Sequence, residues 1–268
     1  MSSLEQGWFT FEGLRIRYAR QLGSASQPPM LIFNGVGQNL ETMQPLVDAL
    51  PDMPIIIYDV PGIGLSEAPS YPWRFSQHAK LAAQLVCHLG YQKINVLGVS
   101  WGGGLAQQFA KQFPTMCKKL VLVSTMPGNI FIPGNPLAYL AMASPLRLHN
   151  KTFMRKVAGI IYGGDVRNNQ GVVQQLTALR KAPPSQKSYA FQVSALYGWS
   201  SLCFLSQLQQ PTLILHGEDD PLIPAANAKL MARLINNSQL ELFDCGHLMV
   251  LTRINKIAPL IRSFVQLS

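Results

Sequence analysis

Gly98-Val99-Ser100-Trp101-Gly102 sets a serine among glycines, after the apolar run Ile94 to Leu97 and before a helical stripe of Leu105, Phe109 and Phe113. A strand-to-helix turn this tight strains its central residue, requires small neighbours, and projects the serine hydroxyl beyond the end of the strand. The hydroxyl is a poor nucleophile until a base takes its proton. The pattern therefore calls for a histidine within hydrogen-bond reach and an acid behind that histidine. The chemistry such a set performs is acyl transfer through a covalent acyl-enzyme.

Five histidines compete for the role of base. His78 and His88 precede the serine on a predicted helix and read as packing or surface residues. His149 has no acidic neighbour in sequence, and His216 ends an apolar run and reads as a local hydrogen-bonding group. His247, in Asp244-Cys245-Gly246-His247, follows the alternation Leu240, Leu242, Asp244 and so stands in a loop after a strand, where a base belongs. The acid is sought in Gly217-Glu218-Asp219-Asp220, just past the strand ending at Leu215, and composition alone does not choose among three adjacent carboxylates. Asp244 is nearer to His247 in sequence, but the arrangement is tertiary and that nearness carries little weight. Acyl transfer also needs donors for an oxyanion. Trp101, the residue after the nucleophile, and Val36, in Asn34-Gly35-Val36-Gly37 after the first buried strand, can each supply a backbone N–H. The alternative for Gly35 and Gly37 is a simple turn.

The elements that must position these groups are legible. Leu14, Ile16 and Tyr18 alternate with Arg15 and Arg17, which predicts a half-exposed strand near a sheet edge. Leu31 to Phe33, Ile55 to Tyr58, Ile94 to Leu97, Leu120 to Val123 and Thr212 to Leu215 are short, nearly continuous apolar runs, as expected of strands covered on both faces. Between them run helical stripes: Leu81, Leu85 and Leu89 with Ser76 as expected N-cap and Gly90 as stop, then Leu105, Phe109 and Phe113 ended by Pro114. Another stripe, Ile257, Leu260, Ile261, Phe264 and Val265, closes the chain. This rhythm specifies an α/β fold with a mostly parallel, doubly wound sheet. It breaks after Ser124 and resumes at Pro211, so residues 1–125 and 211–268 are expected to form the core and 126–210 an inserted helical cap.

Composition excludes other classes. A hydrophobic fraction of 48% and a charged fraction of 13% belong to a packed globule, and 268 residues suit one large core. The net charge is +9, and 126–210 holds eight basic residues against Asp165 alone, a local charge of +7. Aromatic-and-basic interleaving and a helix-turn-helix pattern are both missing, so nucleic acid is not the expected partner. An anionic particle surface or a solvated face accounts for the charge as well. Cys87, Cys117, Cys203 and Cys245 are scattered without metal-ligand spacing and are expected to be free thiols, mostly buried. The first residues show no signal-peptide pattern, and the stretch Pro136 to Leu146, broken by Ser144 and Pro145, is too short to cross a bilayer. A cytoplasmic protein without a transmembrane segment is the expectation.

With these residues placed, the chain resembles the intracellular medium-chain-length poly(3-hydroxyalkanoate) depolymerases of the α/β-hydrolase superfamily. Leu31 to Gly35, Gly98 to Gly103, Leu105 to Ala110, Cys117 to Leu122, Met142 to Pro145, Ile161 to Gly164 and Asp219 to Pro224 all carry the resemblance, which covers most of the chain. Tryptophan directly after the serine is its most telling point. By this resemblance the fold is an α/β-hydrolase fold with an inserted cap, and the spacing G-x-x-D-x-x-x-P, through Gly217 and Pro224, selects Asp220 as the acid, with Asp219 the rival. Asn34-Gly35 replaces the more usual His-Gly, and Asp59-Val60-Pro61-Gly62-Ile63-Gly64-Leu65-Ser66 matches a structural loop of the superfamily, not a nucleotide site. Gly104 stands where alanine is expected, and the chain stops at Ser268 without a polar tail. The implied substrate is a stored polyester of 3-hydroxy fatty acids, cut without metal or other cofactor, on storage granules in the cytoplasm. A small hydrophobic ester or a carbon–carbon bond substrate would use the same Ser100, Asp220 and His247, and a granule-binding scaffold would use the basic cap alone.

Overall fold

The structure is a computed structural model that describes residues 4–24, 27–128, 132–144 and 146–266. Pro145 and Ser268, named above, lie outside the described residues. Among the described residues eight strands form one sheet: β1 (Glu5–Phe11), β2 (Leu14–Gln21), β3 (Met30–Phe33), β4 (Ile55–Tyr58), β5 (Ile94–Val99), β6 (Cys117–Val123), β7 (Thr212–Gly217) and β8 (Ser238–Phe243). Their spatial order is β1-β2-β4-β3-β5-β6-β7-β8. β2 is antiparallel to both β1 and β4, and every other pairing is parallel.

Side chains alternate between two buried layers, as the pleat requires. Leu31, Phe33, Ile56, Tyr58, Val96 and Leu120 face one layer, with α2 (Phe75–His88), α3 (Trp101–Gln112) and α9 (Ala225–Leu234). Met30, Ile32, Ile55, Ile57, Leu97 and Val121 face the other, with α1 (Gln44–Asp48), α10 (Met249–Thr252) and α11 (Ile254–Gln266). That two-sided burial explains why the central strands read as continuous apolar runs. Between β6 and β7 the chain carries α4 (Pro136–Ala143), α5 (Leu146–His149), α6 (Lys151–Tyr162), α7 (Gln170–Leu179) and α8 (Gln186–Ser194). This segment holds a third apolar cluster, built from Met154, Ala158, Ile161, Val173 and Leu176 and joined by Leu222 and Ile223 from the loop after β7.

Three expectations need correction, though not the position of β2, which lies next to the sheet edge because β1 pairs with it through a turn in which Glu12 and Gly13 have φ of 47° and 80°. Positive φ at both turn residues matches the right-handed twist of the flanking strands. Arg17 is buried, since its guanidinium pairs with Asp59 at 2.7 Å and Glu41 at 2.9 Å. α2 starts at Phe75 with Arg74 as its cap, because the Gln77 side chain accepts the Arg74 backbone N–H at 3.0 Å and fixes the first turn two residues early. Of the four cysteines only Cys117 and Cys245 are buried, while Cys87 and Cys203 are exposed on helical and loop surfaces. Burial pushes the Cys245 thiol up to about 11, so near His247 it is a neutral packing group.

Candidate active site

Ser100 lies between β5 and α3 with φ 54° and ψ −117°. A non-glycine residue in this region stores about 1–3 kcal/mol of strain, which the surrounding packing must hold. The packing does so through glycines. A Cβ on Gly98 would lie 2.3 Å from the Gly102 carbonyl oxygen, one on Gly102 would lie 2.2 Å from that of Phe33, and one on Gly103 would meet Thr125 Oγ1 at 2.3 Å. Any larger side chain at these three positions forces the turn open.

His247 Nε2 lies 3.1 Å from Ser100 Oγ, and His247 Nδ1 lies 2.6 Å from Asp220 Oδ2. The Asp220 carboxylate is fully buried, and its Oδ1 accepts the backbone N–H groups of Leu222 at 3.0 Å and Ile223 at 2.9 Å. These bonds fix the orientation of the carboxylate and leave Oδ2 for His247. Asp219 points the other way. It is paired with the Arg167 guanidinium, which holds its carboxyl below the usual range, and accepts the Gly164 N–H at 2.9 Å. Glu218 is exposed.

His247 is set from the neighbouring segment. Its backbone N–H donates to the Tyr162 carbonyl at 2.7 Å, and the Tyr162 ring stacks on the imidazole at 6.1 Å and 13°. His216 was read as a local hydrogen-bonding group. Its Nε2 donates to the Ile223 carbonyl at 2.7 Å and lies 3.6 Å from Asp220 Oδ2. Burial lowers its pKa against the opposing pull of Asp220, so it is neutral beside the carboxylate. His78 is buried between Trp73 and Trp101, and His88 and His149 are exposed.

The loop after β3 approaches the serine from the opposite side. A Cβ on Gly35 would lie 3.8 Å from Ser100 Cβ, and Val36 and Ser100 line the same two cavities. Neither the Val36 nor the Trp101 backbone N–H donates to another group among the described residues. Asn34 closes the loop by donating to the Asn39 carbonyl at 2.8 Å and to Thr42 Oγ1 at 2.7 Å, which gives the Asn-Gly departure a structural use. Asp59 fastens it further, accepting the Leu40 N–H at 2.8 Å and the Leu65 N–H at 3.0 Å. Sequence reasoning missed Gln192 on α8. Its Oε1 accepts the Gly37 N–H at 2.7 Å, and its carbonyl accepts the Trp101 indole N–H at 2.8 Å. Gln192 stands 155 residues from Gly37, and no local signal marks it.

Ser100 opens on a small cavity of about 60 Å³ toward His247 and Leu248 and on a larger one of about 480 Å³. The larger is lined by Trp101, Tyr139, Met142, Tyr189, Leu196 and Ile223, nearly all apolar, and its size suits a medium-sized hydrophobic ligand. Among the described residues no cluster of three or more His, Cys, Asp or Glu could hold a metal ion.

Residues 28–254 match the family described as alpha/beta hydrolase fold, in agreement with the sheet order and the Ser100 turn. The chain belongs to the α/β-hydrolase family and is a hydrolase. It is 45% identical over 252 residues to the poly(3-hydroxyalkanoate) depolymerase of Ectopseudomonas oleovorans, covering 94% of this chain and 89% of that protein. It is 26% identical over 242 residues to 3-oxoadipate enol-lactonase 2 of Acinetobacter baylyi, covering 89% of this chain and 88% of that one. Among solved structures, the enol-lactonase from Burkholderia xenovorans superposes with a TM-score of 0.82 at 20% identity, over 97% of this chain and 100% of that chain. That likeness concerns the fold.

Proposed function

We propose that this hydrolase cleaves the ester bonds of poly(3-hydroxyalkanoate), releasing 3-hydroxy fatty acids, with Ser100 as nucleophile, His247 as general base and Asp220 as the acid that orients it. The observation that carries the reaction is the continuous hydrogen-bonded chain from Asp220 to Ser100, opening on the 480 Å³ apolar cavity. His247 takes the Ser100 proton as Oγ attacks the ester carbonyl. The Val36 and Trp101 N–H groups then meet the oxyanion. Collapse transfers the proton from His247 to the departing alkoxide and leaves an acyl-enzyme, which water opens by the same route in reverse.

The 45% identity to a poly(3-hydroxyalkanoate) depolymerase supports a polyester substrate. So does the surface of 126–210, which we read as a cap. On α4, Tyr139 and Met142 line the cavity while Leu137 and Leu140 are 61% and 72% exposed, and Tyr197 at its edge is 83% exposed. Exposed apolar side chains grouped at a pocket suit contact with a hydrophobic particle. On the same segment Lys151, Arg155, Lys156, Lys181 and Lys187 are exposed, which supports contact with an anionic granule coat and a location on storage granules in the cytoplasm. Arg147 and Arg180 are not part of that surface, because both are buried.

The test compares 3-hydroxy acid release from native granules with hydrolysis of nitrophenyl esters of graded chain length. Granule hydrolysis that falls and loses salt sensitivity in a Lys151→Gln, Arg155→Gln, Lys156→Gln triple variant, with soluble-ester turnover unchanged, is the expected outcome. Rapid turnover of soluble esters with intact granules left untouched would move the substrate to small hydrophobic esters.

A further inference from the structure

Another cavity, of about 220 Å³, lies within the inserted segment and is lined by Arg147, His149, Asn150, Lys151, Thr177 and Arg180 among others. Arg147 is 1% exposed and Arg180 8% exposed. The Arg147 Nε donates to the Met142 carbonyl at 2.8 Å and its Nη2 to Tyr189 Oη at 2.5 Å, with the Tyr189 ring 5.0 Å beneath the guanidinium. Its Nη1 has no partner among the described residues, and neither do Nε and Nη2 of Arg180. Among the described residues no carboxylate pairs with either arginine. Asp165, the sole acid of 126–210, is committed to Arg253 at 2.8 Å. Burial lowers the Arg180 pKa, and the nearby Arg147 guanidinium adds to that.

Guanidinium stays protonated at any ordinary pH, so both charges persist inside the protein. Two buried charges of one sign with open N–H groups are a costly arrangement unless an anion completes it. The planar fork of arginine matches the oxygens of a phosphate group, and Lys151 contributes a third positive charge at the rim. The first turn of the twelve-residue α6 also borders the cavity through Lys151 and Met154, although the N–H groups of Phe153 and Met154 are already taken by the Asn150 side chain and carbonyl.

We propose that this pocket is a binding site for a phosphate dianion, held by Arg147 and Arg180 and assisted by Lys151. It is separate from the ester-cleaving site and stands whether or not the polyester substrate is correct. It is nevertheless connected to that site: Arg147 holds Tyr189, whose ring lines the 480 Å³ cavity, and Arg180 is held toward Tyr162, whose ring stacks on His247. Occupancy of the pocket therefore steadies two aromatic walls of the reaction cavity.

The experiment is calorimetric titration of the full-length protein with inorganic phosphate, beside thermal melting in phosphate and in chloride at matched ionic strength. The wild type binds phosphate and melts higher in it. Arg180→Met weakens binding at least about tenfold, the loss expected for two charge-assisted hydrogen bonds, and melts higher than the wild type in phosphate-free buffer because an uncompensated charge has gone. Lys151→Gln, an exposed change that leaves folding intact, weakens phosphate binding a few-fold. Vesicles of phosphatidylcholine with and without phosphatidate separate a lipid headgroup from free phosphate as the source. Arg180-dependent binding to phosphatidate vesicles alone supports the site with a headgroup as occupant. Wild-type protein with no preference for phosphate over chloride, binding unaffected by Arg180→Met, or saturation by 3-hydroxyoctanoate and not by phosphate overturns it.

Discussion

Replacing Asp220 by asparagine separates the two adjacent aspartates by their geometry. In the wild type Oδ1 accepts two backbone N–H groups, from Leu222 and Ile223, while Oδ2 faces His247 Nδ1 at 2.6 Å. An asparagine that keeps its oxygen on the two backbone donors must turn its NH₂ to His247. Nδ1 then becomes an acceptor, Nε2 carries the proton, and the imidazole faces Ser100 with nothing to receive the hydroxyl proton. The opposite flip points NH₂ at two N–H donors, leaving buried donors unsatisfied at about 1–3 kcal/mol each. The inactive tautomer therefore dominates, and the carboxylate that stabilises imidazolium is lost as well. The combined effect is a fall in kcat/KM of about 10⁴, the size known for the acid of a serine-protease triad, equal to about 5.4 kcal/mol of transition-state stabilisation. Asp219→Asn removes only a half-exposed pair with Arg167, so stability changes by about 1 kcal/mol or less and kcat/KM stays within about twofold. The assay is kcat/KM on a nitrophenyl ester, with circular dichroism and melting confirming the fold of both variants. Asp220→Asn retaining a tenth of wild-type activity, or Asp219→Asn losing as much as Asp220→Asn, refutes this reasoning.

Two further outcomes are expected. His78 is buried and its pKa is lowered to about 3 from 6.5 by desolvation, so below pH 6.5 the unfolded chain takes up a proton that the folded one refuses. Its contribution to stability is complete above pH 6.5 and lost as the pH falls toward 3, about 2 kcal/mol between pH 7 and 5. Urea unfolding of His78→Phe should show a shallower decline over that interval, and an unchanged slope contradicts the assignment. Gln192→Met removes the acceptor for the Gly37 N–H and loosens the loop that carries Val36, so kcat should fall about tenfold with KM less affected. A purely structural role would lower the melting temperature without that split in steady-state kinetics.

The central fold was readable because β3 to β7 are buried on both faces and leave an unbroken apolar signature. β1 escaped notice because an outer strand needs only one apolar face, and Glu5, Gln6 and Thr10 mask it. Ser100 and His247 were legible from local context, a glycine-flanked turn and a loop after a strand. Choosing among Glu218, Asp219 and Asp220 needed the family spacing, since only tertiary structure turns Asp220 inward and Asp219 out to Arg167. Gln192, Tyr162 and the buried state of Arg147 and Arg180 arise from contacts between distant segments. A basic residue in a basic stretch carries no mark of its burial.

The central claim is that Ser100 is an activated nucleophile, and covalent modification tests it most directly. Intact-mass spectrometry after treatment with a fluorophosphonate, followed by peptide mapping, should show one adduct on Ser100. Ser100→Ala should remove both the adduct and turnover, the latter by a factor on the order of 10⁴ or more. An adduct of equal yield on the alanine variant, or turnover that survives the substitution, would contradict the account.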